Sequence, residues 1–399
     1  MVEQYLKKTI DFELPGHRLR FHVTQDLFSS HQIDVGTVRL LRALQSVAPG
    51  PYKRVLDLGC GYGPLGLMLS AQNPGSRVDL VDRDALAVLF AADNAALNQL
   101  SGIDVYGSLG YDDVRAQDYD LIISNIPGKA GEAVIAAMLL DAQHYLAPGG
   151  VVAIVIVAPL AEWVAATLKA AQIEPFFAET RSGHALFFYR FDSLQVPTPQ
   201  LQSGMDRGIY TRAEIAFERK ALDFTLQTAR GLPDFDSLSY ATDLWIDGLL
   251  DLDGPFTHIA VLNPGQGFAP VLLAKRFAPQ HIELIDRDLL ALRYSRHNLV
   301  RNACVPASLT LSHQVGLSAS QVPPPDLITG LLREEEGQPA MAHTIAQAAE
   351  RLLPGGHLVI VASSTAVTRL TEAIERDKRF RLVKRKRDKG QSLLRLQRR

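Results

Sequence analysis

The sequence predicts an α/β chain in which one doubly wound, mostly parallel sheet occurs twice in tandem. Three observations carry this. Apolar strand-like segments alternate with helix-like ones in both halves, a pattern that builds parallel sheets with ligands at the carboxyl ends of their strands. Residues 54–66 run from an apolar strand through an acid into glycines 59, 61 and 63, and a helix-forming run follows. Finally, the chain repeats itself at an offset of 204 residues.

In the first half, strands are expected near 54–58, 77–81, 103–106, 120–124 and 151–157, and helices near 64–72, 84–99, 131–146 and 160–171. Segments 176–179 and 185–191, around Ser182-Gly183, read as a closing antiparallel hairpin. Ahead of the sheet, 12–14 and 18–23 flank Pro15-Gly16-His17 as a further hairpin. In the second half, 380–386 and 392–397 repeat the closing hairpin.

The repeat is clearest over 78–98, where eight of 21 residues recur 204 positions later: Leu80, Asp82, Arg83, Asp84, Leu86, Ala87, Asn94 and Asn98. At an offset of 206, Asp120-Leu-Ile lies over Asp326-Leu-Ile, and Pro148-Gly-Gly over Pro354-Gly-Gly. Residues 193–208 are polar with two prolines and read as a linker. The expected domains are therefore 1–192 and 209–399.

The bulk properties bound the possibilities. A length of 399 residues suits two to three domains, and 47% hydrophobic with 21% charged residues is ordinary for a globular protein. A net charge of −2 excludes a molecule that is basic all over and wraps nucleic acid. Two cysteines, Cys60 and Cys304, exclude a disulfide framework, predict no metal cluster and fit a reducing cytoplasm. Residues 1–14 lack an apolar signal core. The longest apolar run, 151–160, is about half a membrane span and reads as a buried strand.

The glycines at 59, 61 and 63 let the backbone turn sharply and let a ligand lie against bare peptide. Asp57 would repel a phosphate, so it suits a ligand with a cation or donors, such as S-adenosylmethionine, gripped at the pocket lip. Asp82, 19 residues after Gly63, can take both hydroxyls of a ribose. Gly61-Tyr-Gly63-Pro-Leu-Gly66 also meets the loose dinucleotide pattern. Against it stand Asp57, Pro148-Gly149-Gly150 at the fifth strand, and an Asn-containing turn after the fourth. As plain structure, either acid alone reads as a helix cap or a solvated strand end, and a site that has lost its ligand stays open.

On these three features the first half resembles class I S-adenosylmethionine-dependent methyltransferases. The resemblance implies two tandem Rossmann-like domains, the second a degenerate copy, with S-adenosylmethionine as cofactor. Cofactor-binding residues are then Asp57, Gly59, Gly61, Gly63, Asp82 and Ser108, the last standing where many relatives place an Asp against the adenine amino group. Asn125-Ile126-Pro127-Gly128 resembles the Asn-Pro-Pro-Tyr/Phe turn of amino methyltransferases, which makes Asn125 and Pro127 the expected catalytic residues. In that family the Asn oxygen and the next carbonyl accept from the target NH₂, and positioning supplies much of the rate without a strong base. Gly128 replaces the aromatic that stacks on the base; Phe28, Tyr62 or Tyr111 could serve instead, and the sequence does not choose. The plain reading of this turn is a strand-to-helix connection.

Residues 27–37, with Phe28-Ser29 and then Asp34-Val35-Gly36-Thr37, resemble a segment of the small-subunit ribosomal RNA guanine-N2 methyltransferases, with Val35 between Asp and Gly. Those enzymes are also tandem duplications, with the decayed copy first; here it comes second. His31 is a substrate contact or an idle loop residue. In the second copy Asp57 becomes Val261, Gly59 becomes Asn263, Asn125 becomes Leu331 and Pro127 becomes Arg333, while Asp286 persists. That half is expected to support structure or dock substrate. Residues 376–399 hold twelve Lys/Arg against Asp377 and Asp388, either an RNA-tracking patch or a solvated hairpin. The leading expectation is an N-methyltransferase acting on ribosomal RNA at a guanine amine. A protein or small-molecule methyltransferase and a non-catalytic cofactor- or RNA-binding scaffold are the alternatives.

Overall fold

Each half of the chain folds around a seven-stranded sheet, and both sheets have the same strand order. The computed structural model describes residues 2–192, 202–220, 222–318 and 322–399. These divide into two units: Leu6–Tyr210 with Val2, and Thr211–Arg399 with Glu3–Tyr5.

The first unit opens with an antiparallel hairpin of β1 (Lys8–Leu14) and β2 (His17–Val23), turned at Gly16. A helix that the sequence reading missed follows, α1 (Val35–Val47). Asp34 caps it by accepting from Thr37 N–H at 3.1 Å. The sheet elements are β3 (Arg54–Leu58), α2 (Pro64–Gln72), β4 (Arg77–Asp82), α3 (Ala85–Leu97), β5 (Ile103–Gly107), β6 (Tyr119–Asn125), α4 (Glu132–Leu140), β7 (Leu146–Val157), α5 (Ala161–Ala170), β8 (Phe177–Arg181) and β9 (His184–Tyr189). They are ordered β5-β4-β3-β6-β7-β9-β8, all parallel up to β7, with β9 antiparallel to β7. The expected helix over 131–146 is shorter. It gives way to a 3₁₀ turn at Asp141–His144, where Asp141 turns aside to pair with Arg207.

The second unit repeats this plan. A hairpin of β10 (Thr211–Arg219) and β11 (Leu222–Ala229) precedes α6 (Tyr240–Leu250). Then come β12 (His258–Leu262), α7 (Phe268–Phe277), β13 (His281–Asp286), α8 (Leu289–Arg301), β14 (Ser308–His313), β15 (Leu327–Leu331), α9 (Gln338–Arg351), β16 (His357–Ser363), α10 (Ser364–Arg376), β17 (Phe380–Asp388) and β18 (Gln391–Arg398). Their order is β14-β13-β12-β15-β16-β18-β17. The linker expectation needs correction. Residues 193–201 lie outside the described residues, but 202–208 pack on the first unit. Gly204 N–H donates to Asp112 at 2.9 Å, and Arg207 donates to Asp141 at 3.0 Å.

The recurring residues now have jobs. Asp84 and Asp288 cap α3 and α8 through Leu86 N–H and Leu290 N–H. Asn94 accepts from His22 N–H at 2.7 Å and donates to Tyr62 O at 3.0 Å, tying β2 to the glycine loop. Asn298 does the same between Gln227 and Gln266, at 2.9 and 2.8 Å. Both asparagines are fully buried, where an unpaired amide would be costly.

Candidate active site

After β3 the chain turns through Gly59, Gly61 and Gly63 at φ of 76°, 56° and 94°, a region that glycine alone adopts without strain. A methyl at 59 or 61 would meet nothing within 4 Å. At 63 it would strike Leu67 at 2.9 Å, and at 66 it would crowd Asp57 and Leu80 at 3.1 Å. Gly59 and Gly61 therefore keep an open face, while Gly63 and Gly66 let α2 close on the sheet.

Asp57 is not at a lip, as the sequence reading placed it. Its carboxylate is fully buried beneath the loop, with Oδ2 accepting from Gly66 N–H at 2.8 Å. Oδ1 is buried without a hydrogen-bond partner. Burial, only partly offset by the Gly66 bond, pushes its pKa up to about 7. Asp82 is half-buried at the end of β4. Its two oxygens accept from Gly61 N–H and Asp84 N–H, both at 2.9 Å, so it braces the loop it was expected to share with a ribose. Burial pushes its pKa up to about 6. Ser108 spends its only proton on Gly110 O at 2.7 Å and accepts from Asp113 N–H at 3.1 Å. Toward the adenine it was expected to meet, its hydroxyl would offer no donor, only a remaining lone pair.

The fourth parallel strand delivers Asn125. Its side-chain nitrogen donates to Asp34 Oδ2 at 2.9 Å and to Thr37 Oγ1 at 3.1 Å. A carboxylate only accepts, so the amide has one orientation. Asn125 Oδ1 is thereby fixed as an acceptor with no partner among the described residues. Sequence reasoning missed Asp34 and Thr37 as partners of Asn125, although it had singled out their segment. Pro127 is exposed at the turn, and its carbonyl accepts from Ala130 N–H at 2.9 Å. Gly128 is crowded, since a methyl there would lie 2.8 Å from Val157 Cγ2.

The structure separates the three aromatic candidates. Tyr62 is buried and donates to Ser29 O at 3.3 Å. Tyr111 is buried, stacks on Tyr145 at 4.8 Å and donates to Met138 O. Phe28 is 72% exposed. His31 lies on the surface beside Lys7 Nζ at 3.0 Å.

In the second unit a guanidinium stands in the corresponding region. Arg333 donates through Nη2 to Asp286 Oδ1 at 2.6 Å and through Nε to Asn263 Oδ1 at 3.1 Å. Asn263 donates to Leu331 O at 2.7 Å. The acid equivalent to Asp82 is thus held by a guanidinium, and Val261 is buried where Asp57 stands in the first unit. At the end of this unit, β17 is an edge strand rich in cations. Lys384 and Lys386 pair with Asp251 and Asp247, and Arg379 with Asp377 and Glu350. Arg387 and Arg398 have no carboxylate partner among the described residues. Among those residues, no cluster of His, Cys, Asp or Glu is arranged to hold a metal, and no helix is long and apolar enough to cross a membrane.

The methyltransferase small domain model matches residues 18–172. The uncharacterised protein YbxB of Bacillus subtilis is 30% identical over 151 residues, which cover 38% of this chain and 74% of that protein. Ribosomal RNA large subunit methyltransferase G of Shewanella sp. (strain MR-4) is 33% identical over 159 residues, 38% of this chain and 41% of that enzyme. The solved structure of the Thermus thermophilus 16S rRNA N2 G1207 methyltransferase, in complex with AdoMet and guanosine, covers 98% of both chains with a TM-score of 0.63 and 17% identity, a likeness of fold. The chain belongs to the methyltransferase small domain family, and its first unit is an S-adenosylmethionine-dependent methyltransferase domain.

Proposed function

We propose that the first unit methylates an exocyclic amino nitrogen of RNA, with ribosomal RNA as the substrate and the guanine N2 amine as the target. The observation that carries this is the orientation of Asn125. Its nitrogen is committed to Asp34 and Thr37, so its oxygen is preset to accept from a target NH₂. Held this way, the amine's lone pair is directed by the protein before reaction begins, and preorganised orientation is where a displacement of this kind gains most of its rate.

The loop residues fit the cofactor. Gly59 and Gly61 offer bare backbone, Asp82 keeps unused lone pairs for ribose hydroxyls beside its two backbone bonds, and Asp57 holds the loop from below. When bound, S-adenosylmethionine supplies an electrophilic methyl group. Pro127 keeps the turn after Asn125 rigid, and Ser108 shapes the adenine side. The second unit, with Arg333 in place of a ligand, would serve as support or as an RNA dock through the cations of β17. The similarity to a ribosomal RNA enzyme supports the substrate class.

A second reading is a protein side chain as methyl acceptor. It is favoured by Gly128, where the usual stacking aromatic is missing. Tritiated-methyl labelling of extracts from cells lacking the gene, divided by RNase and protease treatment, tests both. Label lost to RNase supports RNA, and label lost to protease supports the second reading.

A further inference from the structure

The strap between β2 and α1, residues 24–34, is pinned at two points of the site. Near its middle, Ser29 O accepts from Tyr62 OH of the glycine loop at 3.3 Å. At its end, Asp34 holds Asn125 at 2.9 Å. The strap therefore runs from the cofactor loop to the Asn125 turn. Ser29 has φ of +61°, an uncommon and mildly strained state for a residue with a side chain. Gly36 permits the close approach at the far end, because a methyl there would lie 2.8 Å from both Asp34 Oδ2 and His184 Cδ2.

Large apolar side chains are left in water on the strap and at its far end. Phe28 is on the strap, Val35 follows Asp34 directly, and Val157 is the side chain that a methyl at 128 would strike. They are 72%, 47% and 40% exposed. Position 128 has no room for a ring unless Val157 moves, and Tyr62 and Tyr111 are committed to buried hydrogen bonds.

Resting on the RNA reading above, we infer that Phe28 is the face on which the target nucleobase stacks, and that the strap is the base clamp of the site. One end supplies an aromatic plane. The other supplies, through Asp34, the fixed acceptor on Asn125 for the base's amino group. Val35 and Val157 add exposed apolar surface at the Asn125 end. A planar heterocycle with an exocyclic amine meets both ends, whereas an aliphatic amine would leave Phe28 in water.

The test is methyl transfer from tritiated S-adenosylmethionine to deproteinised ribosomal RNA by wild type, Phe28→Ala, Phe28→Tyr and Phe28→Trp, with cofactor affinity measured by calorimetry. Phe28→Ala is expected to raise the KM for RNA by about 5- to 150-fold, the range found when a base loses its aromatic partner. Cofactor affinity should stay within about twofold of wild type, and Tyr or Trp should restore the KM. The Trp variant should also show saturable quenching when guanosine is added with S-adenosylhomocysteine. An unchanged KM in Phe28→Ala, with label entering RNA, overturns the stacking inference and leaves the RNA reading standing. Label entering only protein, at a rate indifferent to Phe28, overturns both.

Discussion

Asp34 and Asn125 stand 91 residues apart in the chain, yet their side chains meet at 2.9 Å. The contact makes one functional object of a loop before the sheet and a turn after its fourth parallel strand. Asp34→Ala should free the Asn125 amide to rotate and lower turnover by about tenfold to a hundredfold, with cofactor affinity spared. Asn125→Ala should cost at least as much. Because the two act as a unit, the double variant should be no slower than Asn125→Ala alone. Losses that multiply in single-turnover kinetics would show that Asp34 acts elsewhere.

Asp57 carries a pH signature. Its folded pKa, about 7, lies above the ordinary value of 3.8, so the folded protein holds an extra proton between those limits. Its contribution to stability is full below about 3.8 and is lost as pH rises through about 7. Asparagine at 57 can still accept from Gly66 N–H without carrying a buried charge. Thermal melts of Asp57→Asn against wild type should nearly coincide at the acid end of this window and diverge in favour of the variant above pH 7. A constant difference across the range would contradict the assignment.

Asp82→Ala removes the partner of Gly61 N–H and Asp84 N–H as well as the ribose acceptor. Cofactor affinity by calorimetry should fall about 5- to 150-fold, corresponding to about 1–3 kcal/mol. Unchanged affinity would move the ribose elsewhere.

Arg333→Ala strands Asp286, a carboxylate only 1% exposed. Removing one partner of such a pair costs up to about 3–5 kcal/mol. Calorimetric melting should show the second unit destabilised and the first unmoved. No second cofactor site should appear, since Val261 and Leu331 supply no polar side-chain group. A new binding event would show that Arg333 alone closes the site.

Arg387→Glu combined with Arg398→Glu should weaken RNA binding across sequences. It should also flatten the dependence of log affinity on log salt by about 0.7 for each phosphate that is no longer neutralised. Filter binding at several salt concentrations measures both, and an unchanged slope would remove the β17–β18 hairpin from the interface.

The sheets and the glycine loop were legible because their signals are local: apolar periodicity, strand-end acids and glycines at fixed spacing. The contacts of Asp34 and Arg333 and the exposure that sets Phe28 apart from Tyr62 and Tyr111 were not, because each depends on what distant segments cover. Asp57 shows the limit most plainly. Its place after β3 could be read from the chain, but its depth beneath Gly66 could not. The same holds for Tyr62, Tyr111 and Phe28, which look alike as letters and differ only in what covers them.

Asn94 and Asn298 lock a hairpin to a loop in both copies, whatever the loop has become. Architecture and chemistry thus rest on separate side chains. A copy could shed its reactive groups one at a time without loosening its frame, which is how a sound scaffold comes to clasp an arginine with the acid whose counterpart in its twin braces the glycine loop.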